Sequence, residues 1–317
     1  MSSEINICLS TDKNYVSALS VTIASILKNS KKSENLHFYI LCDNLSDDIK
    51  DKILLLKKIK DCKFDFIDID PKLFENFYTS GHIKLASYYR ILLPELLPNV
   101  SKILYLDCDI VVLSSLAPLF NTNINKVLIA GVEDVGVSYW YRFTDNCPYK
   151  MNNILNAGVL LINLDLWRKE NIINKIYELQ SEGYGNCQHD QELINIACHD
   201  KFLLLDYSWN VQDSFLRSRE SIRKSPFYKY IKQSLKRINI FHYTTVDKPW
   251  QNVTFPKSEL WWHYNRYSPF KIKMKNKDKL KYLIKFFREE RPNKIIYKFF
   301  GINFTKKLVQ SNTQTMN

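Results

Sequence analysis

Ile103-Leu104-Tyr105-Leu106-Asp107-Cys108-Asp109 is an apolar strand that runs into a pair of acids. Side chains two apart on an extended strand share a face, so Asp107 and Asp109 can address one cation while Cys108 points the opposite way. Carboxylates this close repel each other unless a cation lies between them. Oxygen ligands suit Mg2+ or Mn2+, and an added imidazole shifts the preference to Mn2+. Alone, D-x-D is a common triplet, so its surroundings decide what it does.

Upstream, Ile5 to Leu9 reads as a strand. Asn14 can then cap a helix carrying Val16, Leu19, Ile23, Ile26 and Leu27 on its apolar side. Leu36 to Leu41 is the next strand, Ser46 opens a charged helix, and Phe64 to Ile69 returns as a strand. This is the β-α-β-α-β rhythm of a parallel sheet covered by helices. Downstream, a helical stretch over Leu85 to Leu92 precedes the D-x-D strand. Further strands are expected at Val127 to Ala130, Val159 to Leu164, Phe202 to Leu205 and Ile238 to His242. Ligands of open α/β sheets bind beyond the carboxyl ends of the strands, where Asp12, Asp107, Asp134 and His242 could converge. His242 is then either a histidine hydrogen-bonded at a strand end or a third metal ligand. With seven glycines and neither G-x-G-x-x-G nor a P-loop, the chain has no backbone cradle for phosphate, so a metal would have to neutralise it.

The 317 residues are 45% hydrophobic, enough to bury one substantial core. The net charge of +12 is concentrated: residues 267–317 carry 13 Lys and Arg against 3 Asp and Glu, leaving 1–266 at +2. That distribution, and the lack of a recognition motif, argue against nucleic acid. The composition changes near Tyr267, which sets the expected division into residues 1–266 and a tail, 267–317. The cysteines Cys8, Cys42, Cys62, Cys108, Cys147, Cys187 and Cys198 form neither C-x-x-C pairs nor a disulfide framework, which fits a reducing, cytoplasmic setting. The start of the chain has no signal-peptide pattern, and no apolar run approaches the roughly 20 residues needed to cross a bilayer.

Two enzyme classes compete for the triplet. Leu104 to Val111 resembles the strand and D-x-D-x-[TV] motif of haloacid dehalogenase-type phosphatases, but no convincing acidic motif follows downstream. The chain more broadly resembles glycosyltransferase family 8, especially its bacterial lipooligosaccharide galactosyl- and glucosyltransferases. The matching segments are S-T-D-x-N-Y at Ser10 to Tyr15, S-x-x-R at Ser87 to Arg90 and Y-L-D-C-D at Tyr105 to Asp109. They continue with N-A-G-V-L-L-I-N-L at Asn156 to Leu164, H-D-Q-E-x-I-N at His189 to Asn195 and H-Y-x(4)-K-P-W at His242 to Trp250. Their order and spacing span about residues 5–250, and the tail lies outside them.

The resemblance implies a GT-A fold: one Rossmann-like, nucleotide-binding mixed α/β sheet flanked by helices, here followed by a basic helical tail. It implies a UDP-hexose donor and retention of the anomeric configuration. It places Asp107, Asp109 and His242 on the metal, with Ser10, Thr11, Asp12, Asn14, Tyr15 and Cys108 around the nucleotide and the Tyr15 ring on uracil. Asp12 and Asn14 could equally be a loop and helix cap, and Tyr15 a core residue. His82, Arg90, Asp134, Asn156, Asp190 and Gln191 fall around the donor sugar and the acceptor's entry, and Lys248 approaches the diphosphate. In the alternative reading, Arg90 is a salt bridge on a helix face, Asn156 to Gly158 a turn, Asp190 an N-cap and Lys248 solvated. Two positions depart from the family pattern: Thr245 stands where relatives commonly have Gly, and Glu192 replaces a common Asp.

The chemistry implied is departure of UDP with metal and Lys248 stabilising the β-phosphate. Retention follows from attack on the leaving-group face, or from a covalent intermediate for which Asp190 is the candidate; Gln191 is a poor nucleophile. The acceptor expected is an oligosaccharide or lipid-linked glycan, such as lipooligosaccharide core, and a protein-linked glycan fits the same sequence. In the tail, Leu280, Leu283, Ile284 and Phe287 form one helical stripe beside Lys277, Lys281, Lys285 and Arg288. Beyond Pro292, Ile295, Ile296, Phe299 and Phe300 form another. Basic amphipathic helices lie in anionic interfaces, so peripheral attachment to the cytoplasmic face of the inner membrane is expected.

Overall fold

The computed structural model describes residues 4–80, 84–140, 153–216, 223, 226–286, 288–291, 294–299 and 302–307. Its strands are β1 (Ile5–Thr11), β2 (Leu36–Cys42), β3 (Lys63–Asp68), β4 (Lys102–Leu106), β5 (Ile110–Val112), β6 (Ile129–Glu133), β7 (Leu155–Asn163), β8 (Phe202–Leu204), β9 (Val211–Gln212) and β10 (Ile240–His242). Seven of them form the main sheet in the order β3-β2-β1-β4-β7-β6-β8. The half built from β3, β2, β1 and β4 is parallel, as the β-α-β-α-β rhythm predicts. β7 then runs antiparallel to both β4 and β6, which makes the sheet mixed.

The strands read as almost continuous apolar runs because both faces of the sheet are covered. Alternate residues go to opposite cores. Ile7, Leu9, Phe38, Ile40, Leu104 and Leu106 pack with helix α1 (Val16–Asn29), whereas Cys8, Leu41, Ile103 and Tyr105 pack with Trp167 and the helices around it. The expected helix at Leu85 to Leu92 is a series of tight turns, Leu85–Ser87 and Tyr89–Leu92, leading into the short helix Leu93–Leu96.

The acid pair is not on an extended strand. β4 ends at Leu106, the chain turns through Asp107 to Asp109, and β5 belongs to a second sheet of order β5-β10-β9. Hydroxyls of α1 impose the departure. Thr22 Oγ1 donates to the carbonyls of Cys108 (2.7 Å) and Ile110 (2.8 Å), and Ser25 Oγ accepts from the Val112 amide at 2.9 Å. These contacts satisfy buried backbone groups that leave one ladder before joining the next.

The tail is helical over Asn276–Phe286, in line with its first apolar stripe. Beyond it, the expected second helix is replaced by strands β11 (Arg288–Arg291), β12 (Lys294–Phe299) and β13 (Ile302–Lys307), paired antiparallel. Ile295, Ile296, Tyr297 and Phe299 are β-branched or aromatic, types that favour a strand over a helix of the same apolar content. Phe287, Pro292 and Phe300 lie outside the described residues. Before the tail helix, Tyr267 and Phe270 pack against the α1 core, and Asn265 exchanges two hydrogen bonds with the backbone of Ile272. No helix among the described residues is long and apolar enough to cross a membrane.

Candidate active site

A cleft of about 580 Å³ opens at the carboxyl ends of β1 and β4, and Asp12, Asp107, Asp134 and His242 all line it. Register brings three of the groups together. His242 pairs with Ile110, and the Tyr243 amide donates to the Asp109 carbonyl at 3.0 Å, so the end of β10 lies beside the turn. His242 Nε2 is 3.1 Å from Asp109 Oδ1 and 3.8 Å from Asp107 Oδ2. One ligand atom from each residue lies within 4.8 Å of the others, a spacing that can hold a metal ion. Asp109 Oδ1 is buried and accepts no hydrogen bond, although Nε2 is so near. An orphaned carboxylate oxygen facing an imidazole nitrogen is the donor set expected of a divalent cation site.

Gly158 makes this approach possible. Asn156, Ala157 and Gly158 lie within β7, not in a turn before it, and the Asp107 amide donates to the Gly158 carbonyl at 2.9 Å. A Cβ at Gly158 would sit 2.1 Å from His242 Cε1 and 2.8 Å from Asp107 Oδ2. Gly158→Ala therefore has to push the imidazole off its carboxylates. A displacement of about 1 Å at reacting groups costs roughly 10²-fold in turnover, which is the loss expected here. Steady-state kinetics within threefold of the parent would show that the close approach is dispensable.

Three charged groups surround the acids. Arg90 is buried with its Nη2 2.9 Å from Asp107 Oδ1 and its Nε 3.2 Å from Asp190 Oδ2. It also donates to the carbonyls of Ser87 and Ala157 and lies on the Tyr105 ring. This is an internal cation clamping two acids, not the salt bridge on a helix face that the sequence also allows. Burial pushes the Asp190 carboxyl up to about 6; Arg90 opposes the shift and Asp107 adds to it. Lys248 is not among the residues lining the cleft. Its Nζ is buried against Asp109 Oδ2 (2.6 Å) and the Tyr243 carbonyl (2.6 Å). Burial alone would raise the Asp109 carboxyl, but Lys248 and His242 outweigh it and hold the group well below the usual carboxylate range.

On the far wall, Asp134 Oδ2 accepts from Asn156 Nδ2 at 3.0 Å and Gln191 Nε2 at 3.3 Å. Gln191 Oε1 accepts from the Ala157 amide at 3.0 Å, so both ends of this amide are engaged. Asp190 and Gln191 open the helix His189–Ala197, whose first residue has φ of 55°. A non-glycine residue in that region is strained, and such strain concentrates at functional sites.

Where the cleft meets the end of β1 and the start of α1, Ser10, Thr11, Asp12, Tyr15 and Cys108 line it, and Asn14 does not. Asp12 Oδ1 accepts from the amides of Asn14 (2.8 Å) and Tyr15 (3.0 Å) and so shapes the turn just before α1; Asn14, which the sequence suggests as the cap, makes no capping bond. Tyr15 is half-buried, with Trp250 edge-on at 5.8 Å. The Cys108 thiol donates to the Ser10 carbonyl at 2.9 Å and ties the acid turn to β1. His82 lies outside the described residues. Thr245, at the position where a glycine is common, does not adopt positive φ. Thr244 Oγ1 and Thr245 Oγ1 instead donate to the buried Asp213 carboxylate at 2.8 and 3.2 Å. Sequence reasoning missed Asn210, whose Oδ1 lies 3.0 Å from His242 Nδ1. The one available signal was two polar residues, Asn210 and Gln212, flanking Val211 in a segment too short to read as a strand.

The profile described as Glycosyl transferase family 8 matches residues 6–254. General stress protein A of Bacillus subtilis (strain 168) is 26% identical over 266 residues, covering 81% of this chain and 91% of that protein. Lipopolysaccharide 1,3-galactosyltransferase of Salmonella typhimurium is 26% identical over 277 residues, covering 84% of this chain and 79% of that one. In fold, the chain is similar to galactosyltransferase LgtC, solved with donor and acceptor sugar analogues. That likeness has a TM-score of 0.74 at 23% identity, over 87% of this chain and 100% of the other.

Proposed function

Because the chain belongs to glycosyl transferase family 8 and has its GT-A fold, we propose that it is a retaining, Mn2+-dependent hexosyltransferase. The donor proposed is UDP-galactose or UDP-glucose. The acceptor proposed is a lipid-linked glycan such as lipooligosaccharide or lipopolysaccharide core, the acceptor class named for the Salmonella relative. The observation that carries the reading is the Asp107, Asp109 and His242 cluster, with its orphaned Asp109 oxygen, at the carboxyl ends of β1 and β4.

When bound there, Mn2+ would supply positive charge to the β-phosphate of the departing UDP. The chain's own groups do the rest. Lys248 holds Asp109 in place from behind and adds positive charge near the diphosphate. Thr11, Asp12 and Tyr15 receive the uridine, with the Tyr15 ring as its stacking face. Asp134, Asn156, Asp190 and Gln191 surround the sugar and the incoming hydroxyl. Asp190 is clamped by Arg90, and the Gln191 amide is engaged at both ends, which makes either a poor nucleophile. That favours attack from the leaving-group face, with the UDP oxygen accepting the acceptor's proton.

The test is a panel of UDP-sugars with Mn2+ or EDTA, with and without an oligosaccharide acceptor, reading UDP, free sugar and the anomeric configuration of the product. Acceptor-dependent UDP release that EDTA abolishes, with retained configuration, supports the reading. Phosphate release without nucleotide would assign a phosphatase; binding without turnover would assign a sugar-nucleotide binding protein.

Residues 267–317 are proposed as a membrane attachment segment whose first residues, Tyr267 to Ile272, pack on the catalytic body. Its 13 basic residues suit an anionic, cytoplasm-facing leaflet. Flotation with anionic vesicles should be lost when residues 268–317 are deleted; unchanged flotation refutes the attachment.

A further inference from the structure

Three side chains that never touch the proposed metal position dictate the state of one that does. Asp134 starts the chain of constraints. A carboxylate offers only acceptors, so the Asn156 side chain turns its amide nitrogen to Asp134 Oδ2, 3.0 Å away. Its oxygen must then face the other way. There, Asn156 Oδ1 accepts from the Gly158 backbone amide at 3.1 Å, a group that can only donate, so the same orientation is fixed twice.

The constraint passes on to Asn210. Because Asn156 presents an oxygen, Asn210 must donate its amide nitrogen, and the two atoms are 2.8 Å apart. That leaves Asn210 Oδ1 facing His242 Nδ1 at 3.0 Å. A carbonyl oxygen only accepts, so Nδ1 carries the hydrogen. A neutral imidazole protonated at Nδ1 has a bare lone pair at Nε2. Nε2 lies 3.1 Å from Asp109 Oδ1, an oxygen that accepts no hydrogen bond, so the two atoms are spaced for a cation to share. Asn210 is fully buried, and His242 and Asn156 are nearly so, so the bonds that Asn210 makes to each of them are shielded from bulk water.

We infer that Asn210 is a positioning residue. Through Asn156 and Asp134 it locks His242 in the Nδ1–H tautomer and keeps Nε2 ready for a divalent cation beside Asp107 and Asp109. Gln191 is held in the same sense, its Oε1 on the Ala157 amide and its Nε2 on Asp134, so Asp134 anchors two amide side chains at once. In this relay Asp134 and Asn156 orient the metal ligand, a role separate from any contact they make with sugar. The inference rests on the proposed metal role of His242 only for its purpose; the tautomer itself is independent of metal.

The test separates the two. Metal-free protein labelled with 15N in its histidines is followed by long-range proton–nitrogen correlation spectra. The pH is raised until the His242 ring is neutral, and the ring is assigned by its absence in His242→Gln. The expected spectrum has a pyrrole-like Nδ1 and a pyridine-like Nε2; the reverse pattern overturns the relay. In parallel, Mn2+ binding is measured by calorimetry on Asn210→Ala and Asn210→Asp. Loss of a group that orients a metal ligand costs about 10- to 100-fold in metal affinity, which is the weakening expected for Asn210→Ala. Asn210→Asp keeps an acceptor on Nδ1–H and should retain the tautomer and bind Mn2+ more tightly than Asn210→Ala. An alanine variant with unchanged tautomer and unchanged affinity overturns the inference. If the wild-type ring shows the expected tautomer but binds no Mn2+, the relay stands and the metal reading falls.

Discussion

Asp109→Asn is expected to lower Mn2+-supported UDP release by about 10³-fold, because the carboxylate is a proposed metal ligand and a metal ion contributes several kcal/mol of charge stabilisation. The substitution keeps the size of the side chain and removes only its charge. Asp109 is the member of the cluster with no spare partner: Lys248 occupies Oδ2 at 2.6 Å, and Oδ1 is left for the cation. Lys248 would retain the Tyr243 carbonyl at 2.6 Å, so the loop after β10 has a remaining anchor. Loss of activity should therefore exceed loss of stability. Kinetics over a range of Mn2+ concentrations, paired with a thermal melt, distinguishes the two; activity within tenfold of the parent at ordinary Mn2+ concentrations would contradict the assignment.

Arg90→Met is expected to destabilise the protein by about 3 to 5 kcal/mol, the usual cost of leaving the partner of a buried ion pair uncompensated. For a chain of this size that corresponds to a melting temperature lower by about 10 °C. The buried guanidinium serves Asp107, Asp190 and the carbonyls of Ser87 and Ala157 together. Methionine preserves the length of the arm over Tyr105 and removes every donor. Asp190, raised to about 6 with Arg90 beside it, would be pushed further up once its counter-ion is gone. An exposed pair on a helix face would contribute under about 1 kcal/mol. A melting temperature within two degrees or so of the parent would thus return Arg90 to that lesser role.

Much of this site is legible in the sequence because strands covered on both faces are written as apolar runs. Ile5 to Leu9, Leu36 to Leu41 and Ile103 to Leu106 could be located, and with them the strand ends where Asp12 and Asp107 stand. What could not be read is where the chain changes sheets. β5, β9 and β10 are two or three residues long, too short to carry a period, and the hydroxyls of Thr22 and Ser25 that draw β5 away from the main sheet look like ordinary helix residues. The acid pair therefore meets His242 across a turn and not along a strand face. Asn210 was invisible for a related reason: its meaning lies in which atom faces Asn156 and which faces His242, and a linear sequence holds no record of orientation. In the tail, Ile295, Ile296 and Phe299 fit a helical stripe as well as a strand, and the type of residue decided where spacing could not.

The most direct measurement of the central claim is an anomalous difference map at the manganese edge from crystals soaked in Mn2+ and UDP. One peak is expected, within ligand distance of Asp107, Asp109 and His242 Nε2, with the UDP phosphates beside it and the uracil on Tyr15. A peak elsewhere, or UDP bound in the cleft with no manganese at these three residues, would contradict the account.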